Sequence, residues 1–349
     1  MAVVDMEGFD WLPNTNGGNF ASSLIADGWV GDVSEQLRLS SPGRFGYGNA
    51  MQIGRTAGEV GAKQVYKLMK KRVASGTFVV GFAWYQNPID ASANPNSFRL
   101  YDGIAGATRV ICTFQRFGQI SCGGFTSNLG AYIEETWNYI EIKGSIGTPG
   151  DFEVKLNGDI IIQGNSVTVS GGFDFWSVRL GDTVNDRVNS FFDDVYVLDD
   201  TGGVNTDYLG NVRVVAQRPV SDGDVIQLDP VGAATNWQAG DNPGLSGGIY
   251  AETDVVGEYD LYDMNPNIAA RDIFAAQVKT FLLQDNGIQL RGGPIIKTGG
   301  VEYGSEDRGL AGGYRSVVEI WDRNPGTTNP WTAAELNAIQ AGPKLVSSA

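Results

Sequence analysis

The stretch FEVKLNGDIII, Phe152 to Ile162, decides the fold. Phe152, Val154 and Leu156 alternate with Glu153 and Lys155, the two-residue period of a strand with one buried and one wet face. Asn157-Gly158 then supplies the positive φ angles of a type I′ turn, so the chain returns through Ile160 and Ile162 as an antiparallel hairpin.

The neighbouring segments speak the same language. In WNYIEIK, Trp137 to Lys143, Ile140 and Ile142 stand against Trp137, Tyr139, Glu141 and Lys143. In TFVVGFAW, Thr77 to Trp84, one face carries Phe78, Val80, Phe82 and Trp84, with smaller residues opposite. Thr108 to Phe117 (TRVICTFQRF) and Phe191 to Asp200 (FFDDVYVLDD) are further half-buried strands. After them comes TGGVNTDYLG, whose turn residues place a domain boundary in Thr201 to Asn205. Beyond it, strands are expected at Val212 to Gln217, Ile273 to Leu283 and Tyr314 to Trp321, separated by turn clusters SDGD (Ser221 to Asp224) and GDNPG (Gly240 to Gly244). Near the C-terminus PWTAAELNAIQAGP marks one short helix. Thr332 caps it, Glu335 reaches back in a capping box, Trp331 and Leu336 form the hydrophobic staple, and Gly342-Pro343 stops it.

The fold class expected is therefore all-β: a first sandwich over residues 1–203 and a second antiparallel β-sandwich with one short C-terminal helix over 204–349. Length agrees, since 349 residues suggest two domains. So does composition, with 48 glycines and 11% aromatic residues favouring short strands and tight turns.

Composition also excludes chemistries. The chain has no histidine, which removes the commonest general base and transition-metal ligand together and leaves any catalysis to carboxylates, Lys or Tyr. With 25 basic and 40 acidic residues the net charge is −15, which repels polyphosphate, so no nucleic-acid partner is expected. The start, MAVVDMEGFD, lacks a basic region followed by an apolar run, and no window approaches the roughly 20 apolar residues that cross a bilayer, so neither export signal nor membrane insertion is expected.

In order along the chain, Gly76 to Trp84, WNYIEIKGSIGTPGDFEVKLNGDIII and FFDDVYVLDD make the first module resemble a concanavalin A or laminin-G type jelly roll, a lectin and glucanase fold. SDGDVIQLDPVGAATNW (Ser221 to Trp237), YRSVVEIW (Tyr314 to Trp321) and NPWTAAELNAIQAGPKLV (Asn329 to Val346) make the second resemble a module of tailed-bacteriophage tail and other virion proteins. The resemblance implies a virion structural component of tail, baseplate or collar, assembled in a host cytoplasm. Its partners would be other virion proteins and copies of itself, with a host-surface glycan as the alternative ligand.

Candidate sites weigh lightly against that reading. Jelly-roll glucanases set two carboxylates about 5 Å apart on one strand face. Here Glu134-Glu135 with Glu141 lack the spacing, and the adjacent Asp193-Asp194 point to opposite faces. Asp193, Asp194, Asp199 and Asp200 are oxygen donors suited to calcium, but a solvated strand edge is the favoured reading. The run KLMKKR, Lys67 to Arg72, reads as a charged strand end. Of eight tryptophans, Trp237 lies in a loop-like setting suited to stacking on a sugar, whereas Trp84, Trp137, Trp176 and Trp321 fit strand cores. Cys112 and Cys122 flank a turn at Arg116-Phe117-Gly118 and are expected as free buried thiols. No catalytic, cofactor-binding or metal-binding residue is assigned, and the chain is expected not to be an enzyme.

Overall fold

The computed structural model of the chain describes residues 2–12, 20–31, 37–40, 43–46, 48–53, 63–87, 96–103, 106–180, 190–242, 245, 248–269, 271–284, 290–305, 308–310 and 312–348. Two compact units result: one of Met1–Asp10, Asn14–Ala21 and Trp29–Val214, the other of Trp11–Pro13, Ser22–Gly28 and Val215–Ala349.

The first unit is an antiparallel β-sandwich of two sheets. An eight-stranded sheet runs Asp159–Val167, Gly150–Leu156, Trp137–Ile146, Gly76–Gln86, Ser190–Asp199, Ala50–Ile53 and Leu37–Ser40, with Ala2–Glu7 pairing farther along Ser190–Asp199. A seven-stranded sheet runs Phe125–Thr126, Gln119–Cys122, Thr108–Gln115, Asn96–Tyr101, Phe173–Leu180, Lys63–Val73 and Trp29–Gly31. The hairpin expected at Asn157-Gly158 is present, with φ of 52° and 98° and Leu156 opposite Asp159. Between the sheets aromatic rings interlock: Phe82 stacks on Phe98 at 4.1 Å and Trp84 on Phe114 at 4.2 Å. Such offset pairs add to the burial of Val80, Ile140, Ile142, Val178 and Phe192, none of which is exposed.

The boundary expected at Thr201 to Asn205 moves to Val214 because the intervening segment straps the outer face of the eight-stranded sheet. The amides of Leu209, Gly210 and Val214 donate to Tyr196 Oη (3.2 Å), Glu141 Oε1 (2.8 Å) and Asp194 Oδ1 (2.8 Å). Arg44 donates to Val212 O at 3.1 Å, Lys143 pairs with Asp207 at 2.9 Å, and the Lys155 ammonium lies 3.8 Å above the Tyr208 ring. The strap explains why Tyr139 and Glu141, the expected wet face of their strand, are 2% exposed. It also accounts for Val212 to Gln217 not being a strand. Gly81 makes room beneath it, since a Cβ there would lie 2.1 Å from Tyr196 Cε1.

The second unit has a six-stranded antiparallel sheet, ordered Pro219–Ile226, Asp260–Met264, Gln340–Ser348, Leu290–Thr298 and Val301–Gly304, with Arg308–Gly309 also on Leu290–Thr298. The ribbon Ala276–Leu282/Arg315–Trp321 forms a second layer, with Val278 and Trp321 packed on the cluster Ile296, Trp331, Leu336, Ile339 and Ala341. The terminal helix Ala333–Asn337 carries the expected reciprocal box between Thr332 and Glu335. Among the described residues the α-helices Phe20–Ala26 and Asn236–Gly240 are not foreseen by the sequence reading. Ser221 to Asp224 lies inside a strand whose register shifts there, not in a turn. The helix ends before Gly342-Pro343, which sit within Gln340–Ser348. Gly342 is needed because a Cβ would come 2.1 Å from Asp260 O. Pro243 and Gly244 of the expected GDNPG turn lie outside the described residues.

Candidate functional site

The outer face of the seven-stranded sheet is assembled by register. Ser177 stands opposite both Tyr66 and Arg99, Arg179 opposite Gln64 and Ser97, and Phe175 opposite Leu68 and Tyr101. Farther along, Arg99 faces Ile111 and Ser97 faces Thr113, which faces Ser121. Side chains alternate across a strand, so Val65, Phe98, Leu100, Trp176 and Val178 take the core while these residues share the other side. Two Ser-x-Arg triplets, Ser97-Phe98-Arg99 and Ser177-Val178-Arg179, run antiparallel side by side. Each arginine therefore lies beside a serine, whose small side chain leaves space for a guanidinium to lie along the sheet.

A connected hydrogen-bond row results. Gln64 Nε2 donates to Tyr101 Oη at 2.9 Å and to Ser177 Oγ at 2.8 Å. Arg99 donates through Nε to Ser97 Oγ at 2.8 Å and through a terminal nitrogen to Tyr101 Oη at 3.2 Å. Tyr66 packs edge-on to Tyr101, ring centroids 5.3 Å apart. Ser97 and Ser177 are buried beneath this layer, whereas Gln64, Tyr66, Arg99 and Arg179 are half-buried. Burial alone would raise the Tyr101 phenol, but hydrogen bonds from Gln64, Thr108 and Arg99 outweigh it and bring it below the usual tyrosine value. The half-buried layer therefore consists of the Gln64 amide, guanidinium groups and the Tyr66 ring, with the hydroxyls of Ser97, Tyr101 and Ser177 holding it from beneath, and polar groups beside an aromatic ring suit polyhydroxylated ligands.

Most residues singled out in the sequence serve the fold. Asp194, at a positive φ of 52° where the strand bulges, pairs with Arg44 at 3.0 Å beneath the strap. Asp193 is buried beside it and accepts from the Asp194 amide. The expected solvated edge is thus a buried pair, and burial raises Asp193 well above the carboxylate range, with the charge of Asp194 adding to it. Asp199 pairs with Lys71 at 3.0 Å and Asp200 accepts from the Thr77 amide at 3.2 Å, so these four acids do not converge. Glu141 holds the strap, whereas Glu134 and Glu135 sit in an outer turn. Within KLMKKR, Lys67 is buried in the sandwich and lies 4.0 Å from Glu7, while Arg72 binds Asp102. Trp84 and Trp176 are core, Trp137 and Trp321 half-buried, and Trp237 is half-buried on the Asn236–Gly240 helix with its amide donating to Asp222. Cys112 and Cys122 are directly opposed in the hairpin, buried and unbridged. The residues of the polar row went unnoticed in the sequence. The signal available was the repeated Ser-x-Arg alternation, in which polar residues recur with period two inside strands whose other face is aromatic.

No protein-family model matches the chain, and no curated protein matches it in sequence. Solved structures are similar to about half of it at low identity. Alginate lyase AlgAT5 of Polysaccharide Lyase family 7 is 12% identical over 52% of this chain and 99% of its own, with a TM-score of 0.38. A conserved carbohydrate esterase from Shiga toxin-encoding bacteriophage phi24B is 11% identical over 50% of this chain and 91% of its own, TM-score 0.37. A sialidase is 12% identical over 50% of this chain, which spans 19% of that protein's length, TM-score 0.36.

Proposed function

We propose that the first unit is a non-enzymatic saccharide-recognition module, and that the outer face of its seven-stranded sheet holds the ligand. The observation that carries this is the half-buried set Gln64, Tyr66 and Arg99 on the side of the sheet turned away from the core, held in place by hydrogen bonds to the buried Tyr101, Ser97 and Ser177 and by the edge-on contact of Tyr66 with Tyr101. Sugar hydroxyls are met by such groups, and Tyr66 supplies an apolar edge for a pyranose ring. A glycan array of the intact chain tests it, with Tyr66→Ala and Gln64→Ala beside it. Selective binding by the wild type that both variants lose, at unchanged melting temperature, is the expected result. A wild type that binds no glycan removes the proposal, and release of reducing sugar from a bound polysaccharide removes its non-enzymatic half.

The setting we propose is a tailed-phage virion appendage, following the sequence resemblance of both modules. A structural role through protein contacts is supported by one observation in the first unit. Phe117, Leu129 and Ile133 are 68%, 68% and 67% exposed. They lie on two loops tied together by the Gly130 amide on Phe117 O (2.7 Å) and the Tyr132 amide on Gly118 O (2.9 Å). Fixed exposed apolar groups of this kind suit a protein partner. Locating the chain in intact particles by cryo-electron microscopy tests the setting, and finding it only in a host complex without virions refutes it.

A further inference from the structure

Resting on the saccharide reading, we propose that the ligand of the seven-stranded face is an anionic saccharide, one carrying carboxylate or sulfate groups, with Arg99 as the residue that receives the negative charge. The chain as a whole is strongly acidic, with 40 Asp and Glu against 25 Lys and Arg. Yet the rows that build this face, Gln64–Tyr66–Leu68, Arg179–Ser177–Phe175, Ser97–Arg99–Tyr101, Ile111–Thr113–Gln115 and Gln119–Ser121, contain no acid. The carboxylates of these strands are confined to one end, where Asp102 binds Arg72 and Arg109 and Asp174 lies 3.7 Å from Arg72.

Arg99 stands in the middle of the acid-free area. Its hydrogen-bond partners are the hydroxyls of Ser97 and Tyr101, and no carboxylate lies within ion-pair distance of it among the described residues. Elsewhere in this unit Arg44 is matched by Asp194, Arg109 by Asp102 and Arg213 by Asp10, whereas the half-buried Arg116 lies over the Phe117 ring. A half-buried guanidinium beside neutral groups is a costly arrangement for folding alone, because its charge is partly desolvated without a counter-charge. An anion arriving from solvent completes it. A guanidinium accepts carboxylate or sulfate oxygens through a fork of donors, and its two protein bonds leave further N–H groups for the ligand. The half-buried Gln64 amide and Tyr66 ring beside it are neutral and suit the hydroxyls and ring of the same saccharide, while the buried Ser97 and Ser177 hold this layer from beneath.

The experiment is calorimetric titration of the intact chain with four oligosaccharide sets: a polyuronate, the same polyuronate with its carboxyls reduced to alcohols, a sulfated glucan and a neutral glucan. Tight binding of the polyuronate or the sulfated glucan, at least about tenfold weaker binding of the carboxyl-reduced or neutral counterpart, and loss of that difference in Arg99→Gln are expected, tenfold being the scale of one charge-assisted contact. Whichever anion wins identifies the source of the charge. Arg99→Lys keeps the charge and is expected to keep the preference for anions at lower affinity. Because the reduced and native polyuronates are compared on the wild type, the test does not depend on the variants folding. Equal affinity for charged and neutral oligosaccharides overturns the anionic inference while leaving the saccharide reading intact. Absence of binding to all four sets removes both.

Discussion

Replacing Asp193 by Asn should make the protein more stable at neutral and alkaline pH and flatten the pH dependence of its stability. Asp193 and Asp194 are 7% and 2% exposed, adjacent in sequence, and held at the bulge of Ser190–Asp199. Facing them are Arg44, paired with Asp194 at 3.0 Å, and Asp10, itself paired with Arg213 at 3.3 Å. Tyr139 donates to Asp194 O from the neighbouring strand. Burial raises Asp194 from 3.8 to about 6 despite the Val214 amide and Arg44, and burial with the charge of Asp194 raises Asp193 well above the same reference. A carboxyl raised in the folded state binds its proton more tightly there than in the unfolded chain. Its contribution to stability is therefore fully present below the unfolded value and lost as pH rises through the folded one. For Asp194 that loss runs from about 4 to about 6, and for Asp193 it continues above. Each such proton gives a slope of about −1.4 kcal/mol per pH unit. Asn keeps the oxygen that accepts from the Asp194 amide and removes one titrating group. The slope of unfolding free energy should therefore become shallower by about 1.4 kcal/mol per pH unit, with a gain at pH 8 of more than about 1.4 kcal/mol, the worth of one pKa unit. Urea unfolding between pH 4.5 and 8 measures this, with the exchange-protected amides of Ser190–Asp199 reporting on the first unit alone. Parallel curves for the two proteins, or a less stable variant at pH 8, would refute the reading of Asp193 as a buried carboxyl held above its ordinary value.

Gly81→Ala should cost about 1–3 kcal/mol, the scale of forced overpacking, because its Cβ would displace Tyr196 and with it the strap. Faster proteolysis between residues 205 and 214 is the accompanying readout. Burial raises the Cys122 thiol well above its ordinary value, so a thiol reagent at pH 8 should label neither cysteine in the native protein and both in denaturant, as counted by mass spectrometry. Trp331 is 3% exposed and its indole donates to Trp321 O at 2.9 Å, so Trp331→Ala should cost about 3–5 kcal/mol in calorimetric unfolding, and an unchanged melting temperature would contradict its core role. Thr332→Ala should cost about 1 kcal/mol, the usual loss of a cap.

The sheet-forming segments were legible because period-two alternation and turn chemistry act locally. Asn157-Gly158 fixes its hairpin whatever surrounds it, and Thr332 with Glu335 closes its box within four residues. What escaped depended on distant partners. Ser221 to Asp224 reads as a turn in isolation and pairs as a strand only because Asp260–Met264 lies beside it. Gly342-Pro343 reads as a helix stop, but the glycine is required by the close approach of Asp260 O across the sheet. Glu141, Asp193 and Asp194 read as wet because their alternation is regular, and no local rule announces that residues 205–214 will lie over them.

The two outer faces of the first unit carry opposite solutions to the same problem. The eight-stranded sheet buries Glu141, Asp193 and Asp194 by folding its own chain over them, so that the Gly210 amide and Tyr196 hydroxyl satisfy Glu141, the Val214 amide and Arg44 satisfy Asp194, and the Asp194 amide serves Asp193. The seven-stranded sheet has no acid in its central rows, and it keeps a row of amide, phenol and guanidinium groups bonded to one another side to side. Such a lateral network holds its members in place at little cost in backbone constraint, and Arg99, which gives two of its nitrogens to Ser97 and Tyr101, keeps further N–H groups. Substitutions on the strapped face should therefore move stability with little effect on recognition. Substitutions at Tyr66 or Arg99 should move recognition first, and that separation makes the saccharide proposal testable on folded variants.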